Sequence, residues 1–239
     1  MLIWELLSRV GSWPRWLFPG PLEVARSVAA MAQEGRLGTA VWRSLTRLGQ
    51  GFGLSALLGV PLGIALARNA LAQRLLRPAV LGLQALPSIS WLPIAVLWFG
   101  LSETSILFVV VVGSLLAIAI ATEDAVAGVD PMLLRAAGTL GIRGLRFHLG
   151  VLLPAALPGI LTGLKLGFSF AWRALMSGEL IFVAGGLGQL LVEGRELLDA
   201  AQVLGVMVCI VAIGLVVDQG LFRALEVRVR RRWGLAQAG

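Results

Sequence analysis

Four or five stretches of this chain run for close to twenty residues with almost no charge, and that constrains the fold more than any other feature. An α-helix needs about 20 apolar residues to cross a bilayer. Inside lipid the backbone has no water to bond with, so a spanning segment must be a helix or a strand of a closed barrel. These runs are too long for barrel strands and show no apolar/polar alternation. Charged residues make up only 14% of the 239 positions and hydrophobic residues 58%, whereas a soluble domain carries about 25% charged residues. The reading is an all-α, polytopic transmembrane bundle of five to six spans, built as a single transmembrane domain over 1–239.

The pattern places spans at about 48–67, 78–99, 105–122, 158–183 and 200–222. The first is rich in glycine (Gly49, Gly53, Gly59, Gly63), and small residues four apart let helix backbones approach closely. The second is interrupted by Pro87 and Pro93, which implies a fixed kink or a hinge. Residues 22–38 read as an amphipathic helix at the membrane surface, 184–199 as a Gly-rich, acidic loop, and 223–239 as a basic tail. Residues 1–20 lack the basic start and small-residue cleavage site of a signal peptide and read as a partial first helix.

Arginine placement orients the bundle. Segments 68–77, 123–150 and 223–239 carry 3, 3 and 5 arginines, while 100–104 carries none and 184–199 only Arg195. Placing the first group in the cytoplasm gives five alternating spans. Arg26, Arg36, Arg43 and Arg47 then fall on the outer side, on a long amphipathic segment where the rule is weaker. The net charge of +7 is accounted for by these loops, not by a nucleic-acid face. The chain's one cysteine, Cys209, has no intrachain partner, and one histidine, His148, excludes a multi-histidine metal site.

The connection between the third and fourth long spans, LRAAGTLGIRGLRFHLGVLLP, reads as a helix over Leu133–Leu140, a break at Gly141, and a second piece reaching Leu153 and Pro154. An ordered polar helix on the cytoplasmic side either docks a partner or merely joins two spans along the interface. Its residues resemble the EAA loop of ABC importer permeases. Arg135, Ala136 and Ala137 take the EAA positions, Gly141 the required glycine, and Val151, Leu153 and Pro154 close the pattern at matching spacing. LPSISWLPIAVLWFG (86–100), GVPLG (59–63), LPAALPGILTGLKLGFSFAW (153–172) and GLGQLL are similar to the sulfonate, nitrate and taurine branch of that family.

That resemblance implies a coupling helix within 130–150 that sits in a cleft of a cytoplasmic P-loop ATPase. It also implies an ATPase dimer carrying ATP and Mg, a second permease copy, an extracytoplasmic substrate-binding protein, and a multi-pass location in a bacterial inner membrane. The family's usual glutamate is Arg135 here, so an ion pair made by that glutamate is absent or reversed. A P-loop requires Gly-Lys before Ser or Thr, and the only lysine, Lys165, follows Leu164 inside a span. The chain itself therefore holds no nucleotide by that means, no cofactor is expected on it, and it is read as a transport subunit and not an enzyme.

Charges at bilayer depth cost about 2.5–3.5 kcal/mol on insertion scales and mark functional positions. At 100° per residue, Thr162, Ser169, Arg173 and Ser177 share one stripe of the fourth span, read as facing the translocation pathway between two copies, with Trp172 and Glu179 as further candidates. Arg173, with its planar donor fork, suits an anionic head group. Alternatively it pairs with Glu179 or reaches the outer interface. Glu179 belongs to an external gate or is a plain interfacial carboxylate. Trp91 and Trp98 are read chiefly as structural, and Asp218 as a partner of Arg223 or another tail residue. The solute implied is a small anion of the sulfonate, nitrate or taurine kind. A pyrimidine or other vitamin precursor is the alternative, and an ATP-independent secondary transporter or an intramembrane enzyme fits the residues less well.

Overall fold

In the computed structural model, residues 4–5, 17–182 and 185–232 are described. Most of the expected partial first helix, 1–20, and the end of the tail lie outside them. Among the described residues there are no strands. Helix α1 is Pro21–Gln33, α2 Arg36–Arg68, α3 Ala70–Gln84, α4 Leu92–Phe99 and α5 Glu103–Ala127. The coupling region gives α6, Pro131–Thr139, and α7, Gly144–Phe147. Then come α8, Leu153–Ile181, α9, Leu187–Glu196, α10, Ala200–Val216, and α11, Arg223–Arg232. Among the described residues four helices are long and apolar enough to span a membrane, or five if α3 and Ser88–Phe99, bent by 100°, count as one span.

Local chemistry sets the boundaries. Asn69 ends α2 and caps α3, its Oδ1 accepting from the Leu71 and Ala72 amides at 3.0 and 3.1 Å. Asp130 does the same for α6, accepting from Met132 N at 2.7 Å, with Pro131 at the first helical position, where its missing N–H costs nothing. The second span, expected over 78–99 with an interruption at Pro87 and Pro93, starts earlier, at Ala70, and is broken at Pro87 alone. Pro87 disfavours helix at Leu86, so α3 stops at Gln84, a short 3₁₀ turn follows over Ser88–Trp91, and the two arms meet at 100°. Pro93 sits in the first turn of α4 and breaks nothing.

Two further expectations change. The first long helix does not begin near Leu48 but at Arg36, after a turn at Gly35 (φ +74°), so Arg43 and Arg47 lie within it. The segment 184–199 is not a loop throughout, because it holds α9, packed against α8 and α10.

α5 is the centre, sandwiched between α2 and α8, with Ile106, Val109, Val110 and Ile118 fully buried. The close approach comes from small residues at four-residue spacing, with Gly59 and Gly63 placed as expected and Gly51 and Ser55 in place of Gly49 and Gly53. Gly51, Ser55, Gly59 and Gly63 of α2 are buried. Gly49 and Gly53 face open space. On the other side Gly159, Gly163 and Gly167 of α8 meet Ala125, Ala121 and Ile118. A methyl group at Gly63 would overlap the Ala119 carbonyl oxygen and come within 2.6 Å of Thr122 Cβ. Gly63→Ala is therefore expected to lower stability by about 1–3 kcal/mol. Gly49→Ala should be neutral or mildly stabilising, since alanine favours helix. Thermal unfolding of the two purified variants in detergent checks the contrast.

Candidate coupling segment and translocation face

The 130–154 segment folds as the spacing anticipates. α6 ends at Thr139 and the chain reverses at Gly141, whose φ of +72° is a left-handed conformation that strongly favours glycine. Ile142 N closes the turn onto Ala137 O at 3.0 Å. Within α6 only Ala137 is buried. Arg135 and Ala136 are exposed, and Met132, Leu140, Leu145 and Leu149 show 58–77% of their surface. Arg135 bonds only its own helix, donating Nε to Pro131 O at 3.3 Å. His148 Nδ1 lies 2.7 Å from Gly144 O, so it serves the local turn. Leu153 and Pro154 open α8 directly from a π-helical turn over His148–Leu152. The outer surface of this short segment is thus markedly apolar, of the kind that a monomeric surface rarely leaves uncovered.

On α8 the polar stripe faces away from the core. Thr162, Ser169 and Arg173 are exposed and Ser177 is half-buried. Thr162, Ser169 and Ser177 satisfy their hydroxyls on carbonyls four residues back, at 3.0–3.4 Å, as such residues do in apolar surroundings. Arg173 donates Nε to Ser169 O at 3.1 Å and lies 4.6 Å from the Phe170 ring centroid. Trp172 is not on this face. It is half-buried, stacks with Phe168 and packs against Gly214 of α10.

Glu179 is turned away from the stripe, and its pairing with Arg173 is not formed. At 1% exposure it is neither interfacial nor exposed to a pathway. Its carboxylate takes Arg47 Nη1 at 2.9 Å, Ser44 Oγ at 2.8 Å and Gly188 N at 3.0 Å. Ser44 Oγ in turn accepts from Leu187 N at 2.9 Å. Arg47, 4% exposed, reaches Glu103 with its other arm at 2.7 Å. A buried Ser44–Arg47–Glu179 cluster thus joins α2, the end of α8 and the N-terminus of α9, whose free amides and dipole favour a carboxylate, and Arg47 extends from it to the exposed Glu103 at the start of α5. The sequence reading missed Ser44, Arg47 and Glu103. The available signal was the four-residue spacing of Ala40, Ser44, Arg47/Leu48 and Gly51 on one face of α2.

Asp218 also has a different partner from the one expected. The π-helical turn over Val217–Phe222 aims it at Lys165 of α8, 3.1 Å away, and not at Arg223. At the other end of α5, the buried Glu123 pairs with Arg77 at 2.7 Å and accepts from Gln73 at 2.9 Å, while Asp124 takes the second Arg77 arm at 2.8 Å. Arg47 and Lys165 are therefore charge-matched. Arg173 faces no carboxylate among the described residues.

Comparisons with known proteins place the fold and the family. The family described as binding-protein-dependent transport system inner membrane component matches residues 59–231. A chain of Methanocaldococcus jannaschii named as an ABC transporter permease protein is 34% identical over 227 residues, covering 92% of this chain and 84% of that one. The taurine transport system permease protein TauC of Escherichia coli is 30% identical over 234 residues, covering 96% and 85%. Among solved structures, a chain of the inward-facing MetNI methionine ABC transporter superposes with a TM-score of 0.72 at 22% identity, over 81% of this chain and 96% of that one.

Proposed function

The chain belongs to the binding-protein-dependent transport system inner membrane components and is an ABC importer permease; from that premise we propose the finer reading that follows. It forms, with a second copy of itself, the membrane half of an importer in a bacterial inner membrane. An extracytoplasmic binding protein delivers a small anionic solute of the taurine, sulfonate or nitrate kind. A dimer of cytoplasmic P-loop ATPases, carrying ATP and Mg, drives inward movement by alternating access. The solute class is supported by the relative named for taurine and by an α8 face whose one embedded cation lacks a carboxylate.

The observation that carries the reading is the α6–α7 segment. Arg135, Ala136, Ala137, Gly141, Leu153 and Pro154 make it a rigid, outward-facing hairpin joined without a break to α8, the helix that carries Thr162, Ser169, Arg173 and Ser177. A push on α6 would move the polar face as one body. The two halves of the stripe would face each other across the copies, giving exposed hydroxyls and guanidiniums an aqueous path in place of lipid.

Purification of the tagged permease tests this directly. A soluble P-loop ATPase should copurify, and a permease that comes down alone would end the proposal in favour of an ATP-independent carrier or channel. Gly141→Val strains a left-handed turn by about 1–2 kcal/mol with nothing within 4 Å for the new side chain to strike. The variant should remain in the membrane while solute-stimulated ATP hydrolysis falls at least tenfold. Unchanged stimulation would show that the hairpin geometry is not used.

A further inference from the structure

From the end of the last span we infer a binding site for a phosphate-bearing anion, of the kind carried by an acidic phospholipid headgroup, in the groove along α11. α8 leaves the side of the bundle where α6 stands, and α10 returns to it, so α11 emerges on the same side as the coupling hairpin. There a groove of about 700 Å³ is lined by Gln219, Arg223, Ala224, Val227, Arg228 and Arg231. Gln219, Arg223, Val227 and Arg231 follow one another at four-residue spacing, with Ala224 and Arg228 beside them, so among the described residues one helix face supplies the lining.

The charge on this face is unanswered. Arg223, Arg228 and Arg231 make no ion pair with any described residue, and the described lining holds no carboxylate. Asp218, one residue before Gln219, is already engaged with Lys165. Glu226, on the same helix, is not part of the lining. Three guanidiniums held side by side repel one another until an anion joins them, and their donor forks match phosphate oxygens two at a time.

The helix also selects the source of that phosphate. Ala200–Val229 runs without a break out of the apolar span. Val216, 70% exposed, and Leu221, 54% exposed, precede Arg223 on this continuous helix. Exposed apolar side chains followed within two turns by guanidiniums reproduce the profile of an acyl chain ending in a phosphodiester. Basic clusters just beyond a span attract acidic lipid at about 1 kcal/mol per arginine.

The experiment uses the purified permease with whatever subunits accompany it, and a short-chain fluorescent phosphatidylglycerol as probe. Phosphatidylcholine of the same chain length and inorganic phosphate serve as the other two arms. Replacing Arg223, Arg228 and Arg231 together by Gln should weaken phosphatidylglycerol binding roughly a hundredfold, while triple replacement by Lys should retain most of it. Phosphatidylcholine should bind weakly and equally to all forms. Displacement of the probe by millimolar inorganic phosphate would assign the site to a soluble phosphate. Equal phosphatidylglycerol binding by wild type and the Gln variant, or equal binding of the two lipids, overturns the site. Absence of an ATPase from the wild-type preparation would sink the transport reading while leaving the groove result intact.

Discussion

Glu179→Ala should unfold the outer half of the bundle, with a stability loss of about 3–5 kcal/mol. The reason is the company the carboxylate keeps. Removing it takes from the Arg47 guanidinium, 4% exposed, its buried carboxylate partner. It also strips the acceptor from Ser44 Oγ and Gly188 N. Those groups would be buried without partners in a region that water does not reach, and each such orphan costs about 1–3 kcal/mol. Glu179→Gln should be much milder, since the amide oxygen still accepts from Arg47 or Gly188 while Glu103 holds the charge. Replacing both members of the pair, Arg47→Met with Glu179→Leu, should recover part of the loss, because a buried charge pair is often no more stable than an apolar pair of similar volume. Thermal unfolding of the four proteins, with the single variants Arg47→Met and Glu179→Leu added to complete the cycle, gives the coupling. A Glu179→Ala protein as stable as wild type would mean that the cluster is open to water and not a structural joint.

The same cluster explains what the sequence could and could not disclose. Length and emptiness of the apolar runs dictate spanning helices, because lipid leaves the backbone no other choice, and that part of the architecture follows from composition alone. The coupling segment was legible for a local reason. Asp130 and Pro131 start a helix and Gly141 ends it, each through chemistry confined to a few neighbouring residues. Glu179 was not legible, because its partner lies 132 residues away on α2, and the spacing of charges along one helix says nothing about which helix stands opposite. The nearest charged neighbour in sequence, Arg173, was the natural guess, and helical phase puts it on another face. Asp218 misled in the same way. An α-helix would carry it toward the tail arginines, but the π-helical turn over Val217–Phe222 shifts the register and aims it at Lys165. Arg36, Arg43 and Arg47 read as part of a long amphipathic segment on the outer side, where the arginine rule is weaker. The structure supplies Arg47 with two carboxylates, and the cost of burying its charge is met inside the bundle.

That accounting leaves Arg173 as the place where transport should be most sensitive. Its guanidinium touches the Ser169 carbonyl and the Phe170 ring, contacts that hold its direction without neutralising it. A lone cation on an apolar helix costs about 2.5–3.5 kcal/mol, which a helix has no reason to carry unless a passing anion or an aqueous lumen offsets it. In proteoliposomes of the complete transporter, with taurine, short alkyl sulfonates and nitrate screened as solutes, Arg173→Ala should cut uptake of the transported solute at least tenfold, toward background. A charge-assisted hydrogen bond is worth about 1.5–3 kcal/mol. Arg173→Lys should keep the charge but lose the two-pronged geometry, so the solute concentration needed for half-maximal uptake should rise while the maximal rate holds. Since the side chain is exposed and packs only on its own helix, unfolding temperature and ATPase copurification should match wild type. Wild-type uptake by the alanine variant would remove Arg173 from the pathway and leave the charge on α8 to be answered by lipid or by the second copy.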